Sequence, residues 1–244
     1  MNLPMSLEGH APQVAPSPDP LTLLRQATRV AHDAVEALPA MRRLFAPDYT
    51  LDEYRRLLLA LWPLLQALEA DLLPAGQHDR IHTTVSRAEA LRRDLLALGV
   101  LPPVASPHGI PVVSESQRAG VLYVLEGSAL GGQLIRRALL KRFGPAADGY
   151  CHYFDCHAGE AGRQWRAYGK ALRSHPALDT EALVDAAQIT FQRFSERLAA
   201  LPVPGPIPAA MHGHSASACP FARAQRLFGR FGSPRGWLRI WLRA

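Results

Sequence analysis

Gly127-Ser128-Ala129-Leu130-Gly131-Gly132-Gln133 places three glycines inside what otherwise reads as one long apolar helix. Val121-Leu122-Tyr123-Val124-Leu125-Glu126 runs ahead of it, and Leu134-Ile135 and Leu139-Leu140 follow. Each interior glycine costs a helix roughly 1 kcal/mol relative to alanine, so the cluster gives up roughly 3 kcal/mol of helix stability. What it gains is a backbone without side chains, which lets a neighbour approach closely or lets the helix bend. That neighbour is either another helix or a flat ligand, and the motif alone leaves both open.

Outward from the motif, the rest of the chain also reads as helices. Ser114-Glu115-Ser116-Gln117 is a capping box that starts the glycine-bearing helix, and Phe143-Gly144-Pro145 ends it. Asp19-Pro20 supplies a cap and a first-turn proline for a helix in which Leu21, Leu24, Thr28, Ala31, Val35 and Leu38 recur at helical spacing, up to Pro39. Thr50-Leu51-Asp52-Glu53 is a second capping box, opening a helix through Leu73 with a bend expected at Trp62-Pro63. A third amphipathic segment is predicted from about Ile81 to Leu98, followed by a proline-rich loop over 99–113. Later helices are predicted from about Gly159 to Arg173 and from Thr180 to Ala200, the latter with an apolar face of Leu183, Ala187, Phe191, Phe194 and Leu198. Period-two alternation is scarce and no internal repeat is visible. The pattern predicts an all-α fold of six or more helices with short connections.

The organisation is a disordered proline-rich lead over 1–19, one helical domain over 20–200, and a proline linker with a basic, aromatic tail over 201–244. The tail contributes six arginines and no acid. Removing those six from the 27 basic residues leaves 21, against 21 acidic ones. A neutral body argues against nucleic acid as a partner. The longest apolar run, Leu57 to Leu68, is too short to span a bilayer. No basic residue precedes Arg25, so the charged start of a secretory signal is missing, and three cysteines are too few for a disulfide scaffold. Both points predict a cytoplasmic protein without a transmembrane segment.

One histidine stands beside the apolar stripe of the first helix. His32 follows Ala31 and precedes Val35 by three, with Glu36 one turn on, where it could orient the ring. By spacing alone such a histidine is more often a core or boundary residue than a ligand. Paired with a bare helix opposite, it gains a chemical sense. Imidazole would hold the metal of a planar ligand from one face, and glycines would let peptide groups approach the other.

That arrangement resembles the heme oxygenases. Leu23-Leu24-Arg25-Gln26-Ala27-Thr28-Arg29-Val30-Ala31-His32-Asp33-Ala34-Val35-Glu36 is similar to their proximal motif, with His32 at the iron-ligand position, and Gly127–Gln133 is similar to their distal motif. Tyr123–Ser128, Tyr153-Phe154 and Gly162–Trp165 are similar to the bacterial subgroup associated with bacteriophytochromes. The likeness covers about residues 20–200.

The resemblance implies a single multi-helix domain with heme sandwiched between a proximal helix and a glycine-kinked distal helix. It implies an enzyme that opens heme, its cofactor and substrate, to biliverdin, CO and ferrous iron. O2 and an external electron donor such as ferredoxin or a reductase would be required, and a bilin-accepting phytochrome is a candidate partner. A neutral histidine ligand, unlike thiolate, gives little push towards O–O cleavage, so the pocket must position the cofactor's own chemistry. The implied metal ligand is His32. The implied heme contacts are Arg25, Thr28, Glu36, Gly127 and Gly131, and the implied catalytic wall is Gly127, Ser128, Gly131 and Gly132. Arg25 would face a propionate, with Arg163, Arg166, Tyr168 and Lys170 as further candidates. The animal-type motif carries an aspartate where this chain has Ser128, so ordering of distal water must rest on Ser128, on backbone, or on another side chain.

Competing readings remain. A heme-binding or heme-sensing protein without turnover is motivated by Ser128 and by Cys219-Pro220, which resembles short heme-regulatory motifs and lies near His212 and His214. A thiamin-processing enzyme of similar helical build would call for a nucleophilic cysteine, yet Cys151, Cys156 and Cys219 all lie outside the two central motifs. Cys151-His152 and Cys156-His157 offer four zinc-type ligands without the usual second cysteine pair. The tail suits an acidic protein surface or an anionic membrane, or is a solubilising extension.

Overall fold

The computed structural model describes residues 19–72, 85–104 and 112–202. The lead, the 201–244 tail beyond Pro202, and with it Cys219-Pro220, lie outside the described residues. Among these residues seven α-helices appear in order: α1 Pro20–Ala37, α2 Pro39–Arg43, α3 Leu51–Asp71, α4 Arg87–Ala97, α5 Glu115–Phe143, α6 Ala161–Arg173 and α7 Thr180–Ala199. Two short 3-10 segments, Pro145–Tyr150 and Tyr153–Asp155, connect α5 to α6. No strand occurs among the described residues.

The local signals explain most boundaries. Asp19 accepts from the Thr22 amide at 3.1 Å and also takes a bond from Arg173 at 2.8 Å, so the cap of α1 is tied to the end of α6. Thr50 with Glu53, and Ser114 with Gln117, form complete capping boxes. The third helix begins later than its periodicity suggests. Ser86 caps α4 by accepting from the Glu89 amide at 2.9 Å, and Ser86 Oγ in turn donates to Glu69 on α3 at 2.6 Å. Residues 81–84 lie outside the described residues, while Ser86 fixes the start at Arg87. Pro63 sits inside α3 and does not end it.

α5 is the axis of the fold, packed against α7 and α6, while α1 lies along α7 and α3 along α4. At 29 residues α5 is roughly 43 Å long by the α-helical rise. It approaches α7 tightly at Gly120, where an added Cβ would overlap the Leu183 carbonyl oxygen and lie 2.9 Å from the Ala186 Cβ. Leu58, Leu65, Leu68, Leu91 and Leu95 fill the space between α3 and α4, and Trp165 stacks on Tyr168 beside α5. The Tyr168 hydroxyl donates to the Ala119 carbonyl at 3.0 Å. These contacts leave α1, α3, α5 and α7 facing one another across a gap.

Candidate functional site

That gap is an apolar cavity. α1 contributes His32, Val35 and Glu36, α5 contributes Val124 and the run from Gly127 to Gly132, α3 contributes Leu57 and Leu61, and α7 contributes Phe191, Phe194 and Leu198. Arg87, Tyr153, Phe154 and Cys156 complete the wall on the α5 side of the molecule. The histidine and the glycine motif, 95 or more residues apart in sequence, therefore face the same space.

The His32 ring meets Phe191 edge-on, with centroids 5.8 Å apart. Its Nδ1 lies 3.8 Å from Asp33 Oδ1 and its Nε2 lies 3.6 Å from Glu36 Oε1. Burial pulls the imidazole below its ordinary value, outweighing the charge of Asp33, so the ring is neutral at pH 7 and keeps a lone pair for a metal. Burial also acts on Glu36, and with the charge of Asp33 it pushes that carboxyl up to about 8. Both Glu36 oxygens are buried without a hydrogen-bond partner among the described residues.

His32, Asp33 and Glu36 bring one ligand atom each within 4.8 Å of the others. As a cage for a free divalent cation the set is poor, because calcium and magnesium take six or more oxygen ligands whereas three groups converge here, Asp33 among them exposed. One neutral imidazole at the edge of an apolar slot instead suits a planar iron macrocycle, whose ring satisfies the remaining equatorial positions.

On the other wall, Gly127 is buried and Gly131 half-buried, both lining the cavity. Gly132 also lines it, but its missing side chain serves a second surface: an added Cβ would lie 2.7 Å from the Phe154 carbonyl oxygen. Its bareness is required by packing against the 3-10 turn. Ser128 is exposed at the cavity, and its hydroxyl donates to the Leu125 carbonyl of its own helix at 2.8 Å. Its proton is thereby committed, and only its lone pairs face outward.

Two expected heme contacts are placed elsewhere. Thr28 is fully buried and does not line the cavity. Its hydroxyl donates to the Leu24 carbonyl at 2.7 Å and meets the Tyr123 hydroxyl at 3.2 Å, joining α1 to α5. Four residues before His32, it lies on the same helix face, but there α1 is already in contact with α5. Arg25, a further turn back, lies outside the cavity wall with its guanidinium 6.0 Å over the Trp165 ring. Of the α6 candidates, Arg163 pairs with Glu160 at 2.7 Å and Tyr168 is buried against Ala119. The four zinc-type residues do not converge. His152 Nδ1 lies 2.7 Å from Asp94, His157 Nε2 lies 2.8 Å from Glu126, and Cys151 is buried apart from the cavity that Cys156 borders.

Sequence reasoning passes over a buried polar cluster at this wall. Arg87 and Glu126, at 1% and 5% exposure, pair at 3.0 Å, and His157 Nε2, 3.2 Å from the guanidinium, hydrogen-bonds Glu126 at 2.8 Å. Burial opposes ionisation of Glu126, but the hydrogen bond from His157 and the charge of Arg87 outweigh it and hold the carboxyl at about 2. The signal for it was the single acid ending the apolar run Val121–Leu125, since a buried acid must be paired.

A family model described as heme oxygenase matches residues 19–101, the part that carries His32. A heme oxygenase of Xanthomonas campestris pv. campestris (strain 8004) is 40% identical over 116 residues, covering 47% of this chain and 68% of the relative. The solved heme oxygenase of Leptospira interrogans superposes with a TM-score of 0.62 at 20% identity, over 75% of this chain and all of that one. Heme oxygenase-1 of Synechocystis sp. PCC6803, solved in complex with heme, gives 0.62 at 17% identity over 74% of this chain and 90% of that one. The structural likenesses concern the fold, whereas the Xanthomonas relative carries sequence kinship across two thirds of its length; this chain belongs to the heme oxygenase family.

Proposed function

We propose that the protein binds heme as its substrate through His32 and, given O2 and electrons from an external donor, opens the ring to biliverdin, CO and ferrous iron. The observation that carries this reading is a neutral, half-buried imidazole facing bare α5 backbone across an apolar cavity. Heme bound here would supply both the iron at which O2 is activated and the carbon that is oxidised.

The chain's own residues hold and shield that chemistry. His32 offers its lone pair to the metal, and protonated Glu36 stands close enough to fix the ring once the site is filled. Gly127 and Gly131 let the α5 peptide groups come close to the other face. Leu57, Phe191 and Phe194 exclude water from the ring edge. Ser128 accepts, rather than donates, a hydrogen bond at the cavity. Gly132 and Thr28 act indirectly, by seating α5 on the 3-10 turn and α1 on α5.

The catalytic unit is then 20–200, of the bacteriophytochrome-associated bacterial type, cytoplasmic, with a ferredoxin or reductase as donor and a phytochrome as a taker of the bilin. No helix among the described residues is long and apolar enough to cross a membrane. One observation favours heme binding without turnover: the committed proton of Ser128 removes the nearest hydroxyl donor from the motif. Anaerobic hemin titration followed by O2 and reductant decides between them. A histidine-type Soret band that decays into biliverdin is expected, and a stable band without bilin would leave only binding. His32→Ala is expected to lose the parent's Soret signature; an unchanged spectrum and turnover would remove His32 as ligand.

A further inference from the structure

Ring opening as proposed above leaves a ferrous ion that has lost the macrocycle holding it. His32 is the ligand such an ion keeps, and a second ligating group stands beside it. Glu36 lines the same cavity, with its Oε1 3.6 Å from the imidazole Nε2. Two bonds of about 2 Å, the usual length from a first-row divalent ion to imidazole nitrogen or carboxylate oxygen, bridge a gap of that size. The Glu36 side chain is only 10% exposed, and both its oxygens are buried without a hydrogen-bond partner among the described residues. A carboxyl left in that condition is costly, and a cation beside it removes the cost. Asp33 adds a second carboxylate, its Oδ1 3.8 Å from His32 Nδ1 and its side chain open to solvent. One ligand atom from each of the three residues lies within 4.8 Å of the others.

Three protein groups are too few for calcium, but imidazole with carboxylate is a donor set that ferrous iron takes, leaving its other positions to water. Resting on the heme reading above, we infer that Glu36 is the receiving ligand for the ferrous iron set loose by ring opening. It holds the ion against His32, and exposed Asp33 leads it out to water. The step moves no electrons. Iron–nitrogen bonds to the ring break and an iron–oxygen bond to Glu36 forms. Protons from the carboxyl and from water take the iron's place on the ring, since metal ligands bind deprotonated. The site therefore belongs to the end of the reaction, when the tetrapyrrole and the ion part.

The test titrates the heme-free full chain with ferrous iron alone, under anaerobic conditions, and reads bound metal by competition with a colorimetric ferrous chelator. Hemin affinity is measured in parallel from the Soret band. The parent is expected to hold one ferrous ion, and prior loading with hemin is expected to abolish that binding, because both occupy His32. Glu36→Gln keeps the size of the side chain but not its anionic oxygens. It is expected to weaken iron binding by roughly tenfold or more, the scale on which even the outer partners of a metal ligand act. Asp33→Asn must weaken it less. Glu36→Asp keeps a carboxylate one carbon short and is expected to fall between parent and Glu36→Gln, so it carries the test if the glutamine variant does not fold. A parent that binds hemin but no ferrous iron overturns the assignment while leaving the heme reading intact. So does iron binding that survives hemin loading or is the same in the Glu36 variants. Failure of the parent to bind hemin removes the source of the ion and overturns both.

Discussion

Two glutamates, half-buried Glu36 and buried Glu126, belong to the opposite helices that flank one cavity, and their surroundings drive them in opposite directions. Glu36 on α1 has no Lys or Arg paired with it among the described residues, and burial together with Asp33 pushes its carboxyl up to about 8. Glu126 on α5 is at least as buried, but His157 and Arg87 hold it at about 2. Burial is common to both, so the partners make the difference. The α5 wall is electrostatically complete within the polypeptide. The α1 wall, with a neutral imidazole and a carboxyl unsatisfied among the described residues, is arranged for a group that those residues do not provide.

The largest effect should come from breaking the complete wall. Glu126→Ala leaves the Arg87 guanidinium buried without its counter-charge and is expected to cost about 3–5 kcal/mol in denaturant unfolding of the heme-free protein. A cost below about 1 kcal/mol would mean that the pair is not buried in solution. Next in size is Gly132→Ala, whose Cβ meets the Phe154 carbonyl at 2.7 Å. Overpacking of that kind costs about 1–3 kcal/mol, against the roughly 1 kcal/mol of helix propensity it returns. A net rise in melting temperature would show that the 3-10 turn yields easily.

The unfinished wall should respond with the opposite sign. An acid raised from about 4.5 to about 8 by folding weakens the folded state as pH climbs through that window, because the unfolded chain ionises first. Glu126, lowered from 4.5 to about 2, stabilises the fold above 4.5, and that contribution is lost as pH falls towards 2. Heme-free protein should therefore be most stable near pH 4.5–5 as far as these two groups decide it. Glu36→Gln is expected to raise stability at pH 8 by on the order of 1–2 kcal/mol after relaxation around the carboxyl, and to flatten the slope above pH 5. Melting temperatures measured from pH 4 to 9 check this, and an unchanged slope would remove Glu36 from the account. The smallest effect is expected for Thr28→Val, about 1 kcal/mol for one buried hydrogen-bonded hydroxyl, with hemin affinity unchanged. Weakened hemin binding would return Thr28 to the site.

These contrasts also show which parts of the molecule its sequence announces. Helix starts at Asp19, Thr50 and Ser114 were readable because caps act within a few residues. His32, Gly127, Ser128 and Gly131 were expected together from the resemblance of their two motifs, and all four line one cavity. Thr28 and Arg25 were misplaced because helical spacing fixes a face but not where along it a neighbouring helix stops touching. Arg87 was missed for a related reason. Its burial follows from Glu69, 18 residues earlier on another helix, whose carboxylate draws the start of α4 inward. Such a tertiary contact leaves no local periodic signature.

Gly120 and Gly132 divide α5 in a way that bears on how its wall can move. At the first the helix is pressed on α7 and at the second on the Phe154 turn, roughly 18 Å further along by helical rise. Between Glu126, which Arg87 holds, and the second bearing lies a short span facing the cavity, and the two remaining glycines of the motif, Gly127 and Gly131, fall within it. A span that is clamped at its ends and softest in its middle bows without dragging its supports. The helix can change curvature over a guest while the packing on either side stays in register, much as a string is bent between frets.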